Sequence, residues 1–246
     1  MPFTAAHPAI ILPLLKLRSR WFSTTGLVLG SVAPDFEYFF RLRIVSKHSH
    51  ELSGILLFNV PVTFLLAILF HSVVRDMAKQ HLPHWLRSRA LAVRELNWLQ
   101  YLRKHWLVFL VSAAIGAASH VFWDGFTHPK GYFVGQLPVL LTPLSLFGKD
   151  IPLCRILQHL STVAGGLLLF WYCKTLPVLE LPKRVSKQPL WFYFWIKVFL
   201  VGCAFLLVNV FARPHLHRTV DFVVILIGGW LLALVLAGVK QKQSPG

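Results

Sequence analysis

Histidines and carboxylates recur at close spacing in a chain that carries only nine acidic residues. The segment SHVFWDGFTHPKG, residues 119–131, places His120, Asp124 and His128 four residues apart. Four residues is just over one helical turn. The three side chains therefore form a stripe down one helix face, drifting by about 40° per step. Imidazole nitrogen and carboxylate oxygen are the usual protein ligands of Zn²⁺, Mn²⁺ and Fe²⁺, with Zn²⁺ the first choice. The stripe closes a long apolar run, where an Asp is costly unless it is paired, protonated or bound to a cation. Taken alone, the stripe fits a structural role equally well, with each His capping or hydrogen-bonding a helix end and Asp124 pairing with one of them.

Three more of the nine acids are Asp35, Glu37 and Glu51. Asp35 and Glu37 stand in the otherwise apolar GSVAPDFEYFF. His48, His50 and Glu51 stand in KHSHELSG, just before an apolar run. The run 52–74 begins beside His48 and His50, and the run 105–125 ends beside Asp124 and His128. Two antiparallel helices joined by one loop bring that start and that end to the same face, so the clusters can converge. His7, in FTAAHPAI, joins them if the N-terminus folds back. Glu37 and Glu51, if not ligands, are candidate general bases. Arg41 and Arg43 could hold a phosphate, or serve only as topology signals.

The elements that must position these groups are apolar helices. The 246 residues are 56% hydrophobic with mean hydropathy +0.61, beyond what an ordinary soluble domain of this length carries. A bilayer core takes about 20 apolar residues per helix, and 52–74, 105–125, 153–175, 190–211 and 219–239 qualify. The expectation is one all-α integral membrane domain over 1–246: a polytopic transmembrane helical bundle of five to six spans plus a short N-terminal or re-entrant helix. Residues 22–40 are either that helix or a full crossing. Pro61 is expected to kink the first span. An amphipathic helix is expected near 86–103, and a Pro- and Gly-rich structured loop over 126–152.

The formal charge of +16, from 25 Lys and Arg, suits topology and anionic lipid headgroups. No phosphate-binding glycine loop, zinc-finger spacing or RNA-binding aromatic motif is present, so nucleic acid is excluded as partner. The loop 75–104 carries seven Lys or Arg, which puts it on the cytoplasmic side. Lys174, Lys183, Arg184 and Lys187 fall on that same side, as do Lys240 and Lys242. Lys16, Arg18, Arg20, Arg41, Arg43 and Lys47 do not fit the pattern as simply: if 22–40 crosses, the first three are cytoplasmic and the last three are not. Cys154, Cys173 and Cys203 lie in or beside apolar runs with no CxxC pair and read as small buried apolar residues. The N-terminal MPFTAAHPAIILPLLKLRSR lacks a basic start and is expected to be retained. His71, His81, His84, His105, His215 and His217 are expected at interfaces, and His159 as an interhelical hydrogen-bonding group. Asp150 is expected in a turn, and Asp221 as a cap or a partner of Arg218.

The stretches MPFTAAHPA, GSVAPDFEYFFRL, KHSHELSGILLFNVP and GAASHVFWDGFTHPKG resemble the DUF4184 family of bacterial membrane proteins. The likeness runs to about residue 175, where LQHLSTVAGG follows the pattern, and leaves 176–246 as two further transmembrane helices. In motif order that family is similar to a group of membrane-bound metal-dependent hydrolases (the DUF457 group), with an early His, a PD-type Asp, a His-rich segment before a helix and a SHxxxD segment. The resemblance implies that His7, Asp35, His48 or His50, His120 and Asp124 are metal ligands, with His128 beside them. The chain departs from the related group at PDFEYFF, where Glu37 stands in for a second acid and no His follows. A bacterial inner (cytoplasmic) membrane location is implied, with the metal site facing away from the basic loop.

Together these features point to a membrane-embedded metal-dependent hydrolase working at a headgroup face on a lipid-like or phosphate-ester substrate. The alternative is a non-enzymatic scaffold, or a metal or proton transporter. The last two spans carry little polarity beyond Lys197, Asn209 and Asp221, which argues against a polar path across the bilayer.

Overall fold

The computed structural model describes residues 4–15, 21–93, 96–146, 148–180, 190–213 and 218–243. Lys16, Arg18, Arg20, Lys183, Arg184, Lys187, His215 and His217, assigned above to topology or headgroups, lie outside the described residues, as does the side chain of Lys242. The fold is all-α, and among the described residues five helices are long and apolar enough to cross a membrane. They are Leu52–Gln80, Trp98–Thr127, Leu153–Thr175, Trp191–Ala212 and Thr219–Lys240. Large apolar side chains such as Leu57 and Phe211 stand 80% and 83% exposed on them. Water would penalise that heavily, whereas hydrocarbon does not.

The first span contains a π-helical turn, Ile55–Asn59, directly before Pro61. Proline lacks the N–H that an α-ladder needs and its ring crowds the preceding turn, so the helix widens there. The second span runs on to Trp98 rather than starting at 105, but His105 has non-helical angles (φ −130°, ψ 28°), a kink where the apolar run begins. The basic loop holds a separate helix, His84–Ala92.

Among the described residues, 22–40 are not one of the helices long and apolar enough to cross a membrane. Ser23 caps a nine-residue helix, Thr24–Val32, accepting from the Gly26 amide at 3.3 Å. At 1.5 Å per residue that helix covers roughly 14 Å, about half of a hydrocarbon core. It tightens at Pro34 into a 3₁₀ turn, Ala33–Asp35, and a short helix Phe36–Arg41 follows. Within 126–152 there is a two-stranded antiparallel hairpin, Pro143–Leu146 with Lys149–Pro152, turned at Gly148 with φ +73°. Asp150 lies in this hairpin and accepts from the Ser145 hydroxyl.

The chain forms two compact units. One comprises Met1–Asp35, Lys47–Phe64 and Leu102–Thr175. Its close contacts rest on small residues. Gly26 and Gly30 lie so near the second span that an added Cβ would meet the backbone of Phe109 and Ala113, and Gly116 is matched to Leu27 and Ser31. The N-terminal 3₁₀ helix Thr4–Ala9 lies on Gly165, where a Cβ would come within 3.0 Å of the Ala6 carbonyl. Cys154 packs with Val134 and Leu140 in a small apolar core, and all three cysteines are free.

The other unit comprises Phe36–Ser46, Leu65–Tyr101 and Leu176–Gly246. Its last two spans pack at Gly202 and Gly229, with the Phe205 side chain against Gly229. Asp221 is buried, and its Oδ1 accepts from the Ile44 amide at 2.8 Å, a different partner from the Arg218 side chain expected above. His71 stacks on Trp98 with ring centroids 4.4 Å apart.

Candidate metal centre

Every group that converges in the first unit is set by a local feature of the chain. Asp35 closes the 3₁₀ turn at Pro34 and is fully buried. Its Oδ2 accepts from the Thr4 hydroxyl at 2.5 Å, which leaves Oδ1 directed elsewhere. His120 and Asp124 stand one turn apart on the second span, both buried. The close helix contact at Gly30 and Gly116 brings the Ser31 carbonyl to 2.7 Å from His120 Nδ1. A carbonyl can only accept, so Nδ1 carries the proton and the lone pair of a neutral ring sits on Nε2. That is the usual outer support of a metal-ligating histidine.

His50 is positioned by a tight turn. The Glu51 amide donates to the His48 carbonyl at 3.2 Å, and Gly54 lies too close to that carbonyl for any side chain. Asn59, buried in the π-turn of the first span, donates Nδ2 to the Ser49 carbonyl at 2.7 Å. The Ser49 hydroxyl lies 2.9 Å from His50 Nδ1. This pins the ring so that Nε2 faces the carboxylates.

The four side chains meet at one point. His120 Nε2 lies 3.4 Å from Asp35 Oδ1 and 3.5 Å from Asp124 Oδ2. His50 Nε2 lies 3.8 Å and 3.4 Å from the same two oxygens. One ligand atom from each of Asp35, His50, His120 and Asp124 falls within 4.8 Å of all the others. These separations are long for hydrogen bonds. The four His–Asp distances, 3.4–3.8 Å, are close to the ~3.3 Å that tetrahedral ligands keep when each is about 2.0–2.1 Å from one ion.

The chemistry of the donors fits a cation. His7 Nδ1 and Nε2, Asp35 Oδ1, His120 Nε2 and both Asp124 oxygens are buried and make no hydrogen bond. Buried polar atoms are rarely left so, because the loss costs about 1–3 kcal/mol each. Among the described residues neither Asp35 nor Asp124 pairs with Lys or Arg. Among the described residues their ion-pair neighbours are histidines, and Thr4 adds one hydroxyl to Asp35. Two carboxylates in a buried apolar setting call for positive charge. The group Asp35, His50, His120 and Asp124 can hold a metal ion.

Two more histidines flank the group. The His7 ring stacks on His120 with centroids 3.6 Å apart, and its Nε2 is 3.6 Å from Asp124 Oδ1. Burial, and then the neighbouring His120, hold the His7 ring down to a pKa of about 3, so it stays neutral with a lone pair available. His128 puts Nδ1 3.2 Å from the Asp124 carbonyl and 3.5 Å from Oδ2. Burial lowers its pKa as well, and its side chain is 30% exposed. Burial opposes ionisation of Asp35, but without a metal a protonated His120 beside it outweighs this and holds its carboxyl below the ordinary range.

The His48 side chain is exposed, as are Glu51 and Arg43. Glu37 is buried, but it accepts from Arg41 at 2.8–2.9 Å and from the Ser46 hydroxyl at 3.3 Å. That carboxylate and Arg41 are therefore engaged with each other. Thr4, Ser31, Ser49 and Asn59 support the group and were not singled out from sequence. Only Asn59, an amide inside LLFNVP, carries a sequence signal for such a role.

A family model described as a domain of unknown function, DUF4184, matches residues 1–239. No curated protein and no solved structure matches the chain.

Proposed function

The chain belongs to the DUF4184 family, and from its buried His/Asp group we propose that it is a membrane-embedded metal-dependent hydrolase. The observation that carries the reading is the convergence of two carboxylates and two imidazoles within 4.8 Å, with buried ligand atoms left without hydrogen bonds. Asp35, His50, His120 and Asp124 would hold the ion, Zn²⁺ ahead of Mn²⁺ or Fe²⁺, with His7 and His128 at its edge. A divalent cation there supplies Lewis acidity, polarising a phosphoryl or carbonyl oxygen and making water acidic enough to attack near neutral pH.

The chain's own residues do the rest. Ser31 fixes the His120 tautomer, Ser49 orients His50, and Thr4 occupies the second oxygen of Asp35. His128, neutral near pH 7, can take up a proton beside the reacting group, whereas His7, held down to about 3 by burial, stays neutral and offers only its lone pair. Of the two acids considered as bases, Glu37 is engaged by Arg41, which leaves Glu51.

A cavity of about 190 Å³ reaches His7 and is otherwise largely apolar, bounded by Ala6, Ala9, Trp123, Gly165 and Leu168. A substrate with an apolar chain and a phosphate or ester head suits an apolar cavity that reaches His7, which flanks the group. With the loop 75–104 cytoplasmic, residues 48–52 and 120–128, at the other ends of the same two helices, fall at the opposite membrane face.

The test uses the full chain in mild detergent, assayed on phosphatidate and on a carboxyl ester of similar chain length, before and after chelation and with Zn²⁺ restored. Hydrolysis that is lost on chelation, recovers with metal and is abolished in Asp124→Asn supports the reading. Saturation with four protein ligands at near-complete burial is also the arrangement of a structural site. Tight metal retention with a large loss of thermal stability on chelation, and no hydrolysis of either substrate, would establish that non-enzymatic role instead.

A further inference from the structure

The second unit contains a larger cavity, about 560 Å³, within the range of small-molecule sites. Its walls are apolar, among them Val198, Leu236 and the buried Met77. Three basic groups line it as well, His81, Lys197 and Lys240, from three different segments. His81 follows the end of the first span, Lys240 lies at the end of the last, and Lys197 sits seven residues into the helix Leu190–Ala212. Seven residues is about 10 Å of helix, a depth at which an ammonium group must reach back toward the polar interface.

Both lysines lack an acidic partner among the described residues. Among the described acids of this unit, Glu37 pairs with Arg41, Asp76 pairs with Arg75, and Asp221 accepts from the Ile44 amide. Glu180 makes no ion pair among the described residues. The wall is also ordered, since His81 stacks on Phe194 at 4.0 Å and its carbonyl accepts from Trp195 Nε1 at 2.7 Å. Two unneutralised cations at the helix-end side of an apolar cavity are complementary to an anion that carries hydrocarbon.

We propose that this cavity binds one anionic phospholipid, its phosphate between Lys197 and Lys240 and an acyl chain along Val198, Val201 and Leu236. The site is independent of the His/Asp group and does not require that the protein be an enzyme. Its role would be to fix this unit to the anionic leaflet beside the basic loop.

The experiment is native mass spectrometry of the full chain, released from neutral detergent and titrated with dioleoyl phosphatidylglycerol or dioleoyl phosphatidylcholine. At about 1 kcal/mol per lysine near the surface, two lysines give the anionic lipid an advantage of roughly 30-fold. K197Q/K240Q should erase that advantage while K197R/K240R keeps it. Val201→Trp, filling the apolar wall with the charges intact, should weaken both lipids. Equal binding of the two lipids by the parent overturns the proposal, as does an undiminished advantage in K197Q/K240Q. Displacement of phosphatidylglycerol by millimolar inorganic phosphate overturns it too, because the hydrocarbon would then contribute nothing.

Discussion

Asn59→Leu removes one buried hydrogen bond from the first span and nothing from the His/Asp group itself. The Asn59 side chain is fully buried, and its Nδ2 donates to the Ser49 carbonyl at 2.7 Å. Ser49 in turn holds His50 Nδ1 at 2.9 Å. Leucine keeps the bulk but cannot donate, so a buried carbonyl loses its donor at a cost of about 1–3 kcal/mol. The turn His48–Glu51 then loosens, and His50 Nε2 is no longer fixed 3.4 Å from Asp124 Oδ2. Loss of such outer support typically weakens a metal site 10- to 100-fold, or about 1.4–2.7 kcal/mol. Competition against a chromogenic chelator in detergent at pH 7, together with a thermal melt, measures both effects. A lower melting temperature with metal affinity within about twofold of the parent would refute the coupling between Asn59 and His50. No change in either would refute the account of the turn as well.

Gly30→Leu forces the helix Thr24–Val32 off the second span, because even a Cβ there would come within 3.0 Å of Ala113 backbone atoms. Overpacking of this kind costs about 1–3 kcal/mol, and metal retention should fall with it as the Ser31 carbonyl leaves His120. Acid should destabilise the metal-free protein. His7 is held at about 3 in the folded chain against 6.5 unfolded, so the unfolded state gains the proton first. The stability is complete above about pH 6.5 and is lost toward pH 3 at up to about 1.4 kcal/mol per unit. His7→Gln should flatten that slope in melts run from pH 7 to 4. Asp221→Ala strips the Ile44 amide of its buried acceptor and should lower the melting temperature by an amount equivalent to about 1–3 kcal/mol, with metal content unchanged.

The five long helices were legible because the bilayer demands a run length that composition alone reveals. Their ends were less so. The first span continues through polar residues to Gln80, and the second to Trp98 across the kink at His105. Helical hydrogen bonding persists past the apolar run in both. The crossing of residues 22–40 was undecidable from hydropathy, since a capped nine-residue helix and a turn at Pro34 have the same composition as a weak span. The hairpin 143–152 escaped notice because its residues are largely exposed and show no alternating buried face.

Within the site, the fourfold spacing of His120 and Asp124 was readable as a stripe. Antiparallel spans made their approach to His50 foreseeable. The orientation of His50 was not legible, because it rests on Ser49, which Asn59 holds by a hydrogen bond from ten residues away. The Ser31 carbonyl has no side-chain signature at all. It becomes visible only once Gly30 and Gly116 bring two backbones together.

The most direct test is the metal content of the full chain, purified in mild detergent without chelator and measured by inductively coupled plasma mass spectrometry. The expected result is a near-stoichiometric divalent ion, lost in His120→Ala and in Asp124→Ala while both variants still elute as the parent does. A parent protein that carries no such ion and takes none up when Zn²⁺, Mn²⁺ or Fe²⁺ is supplied would contradict the account.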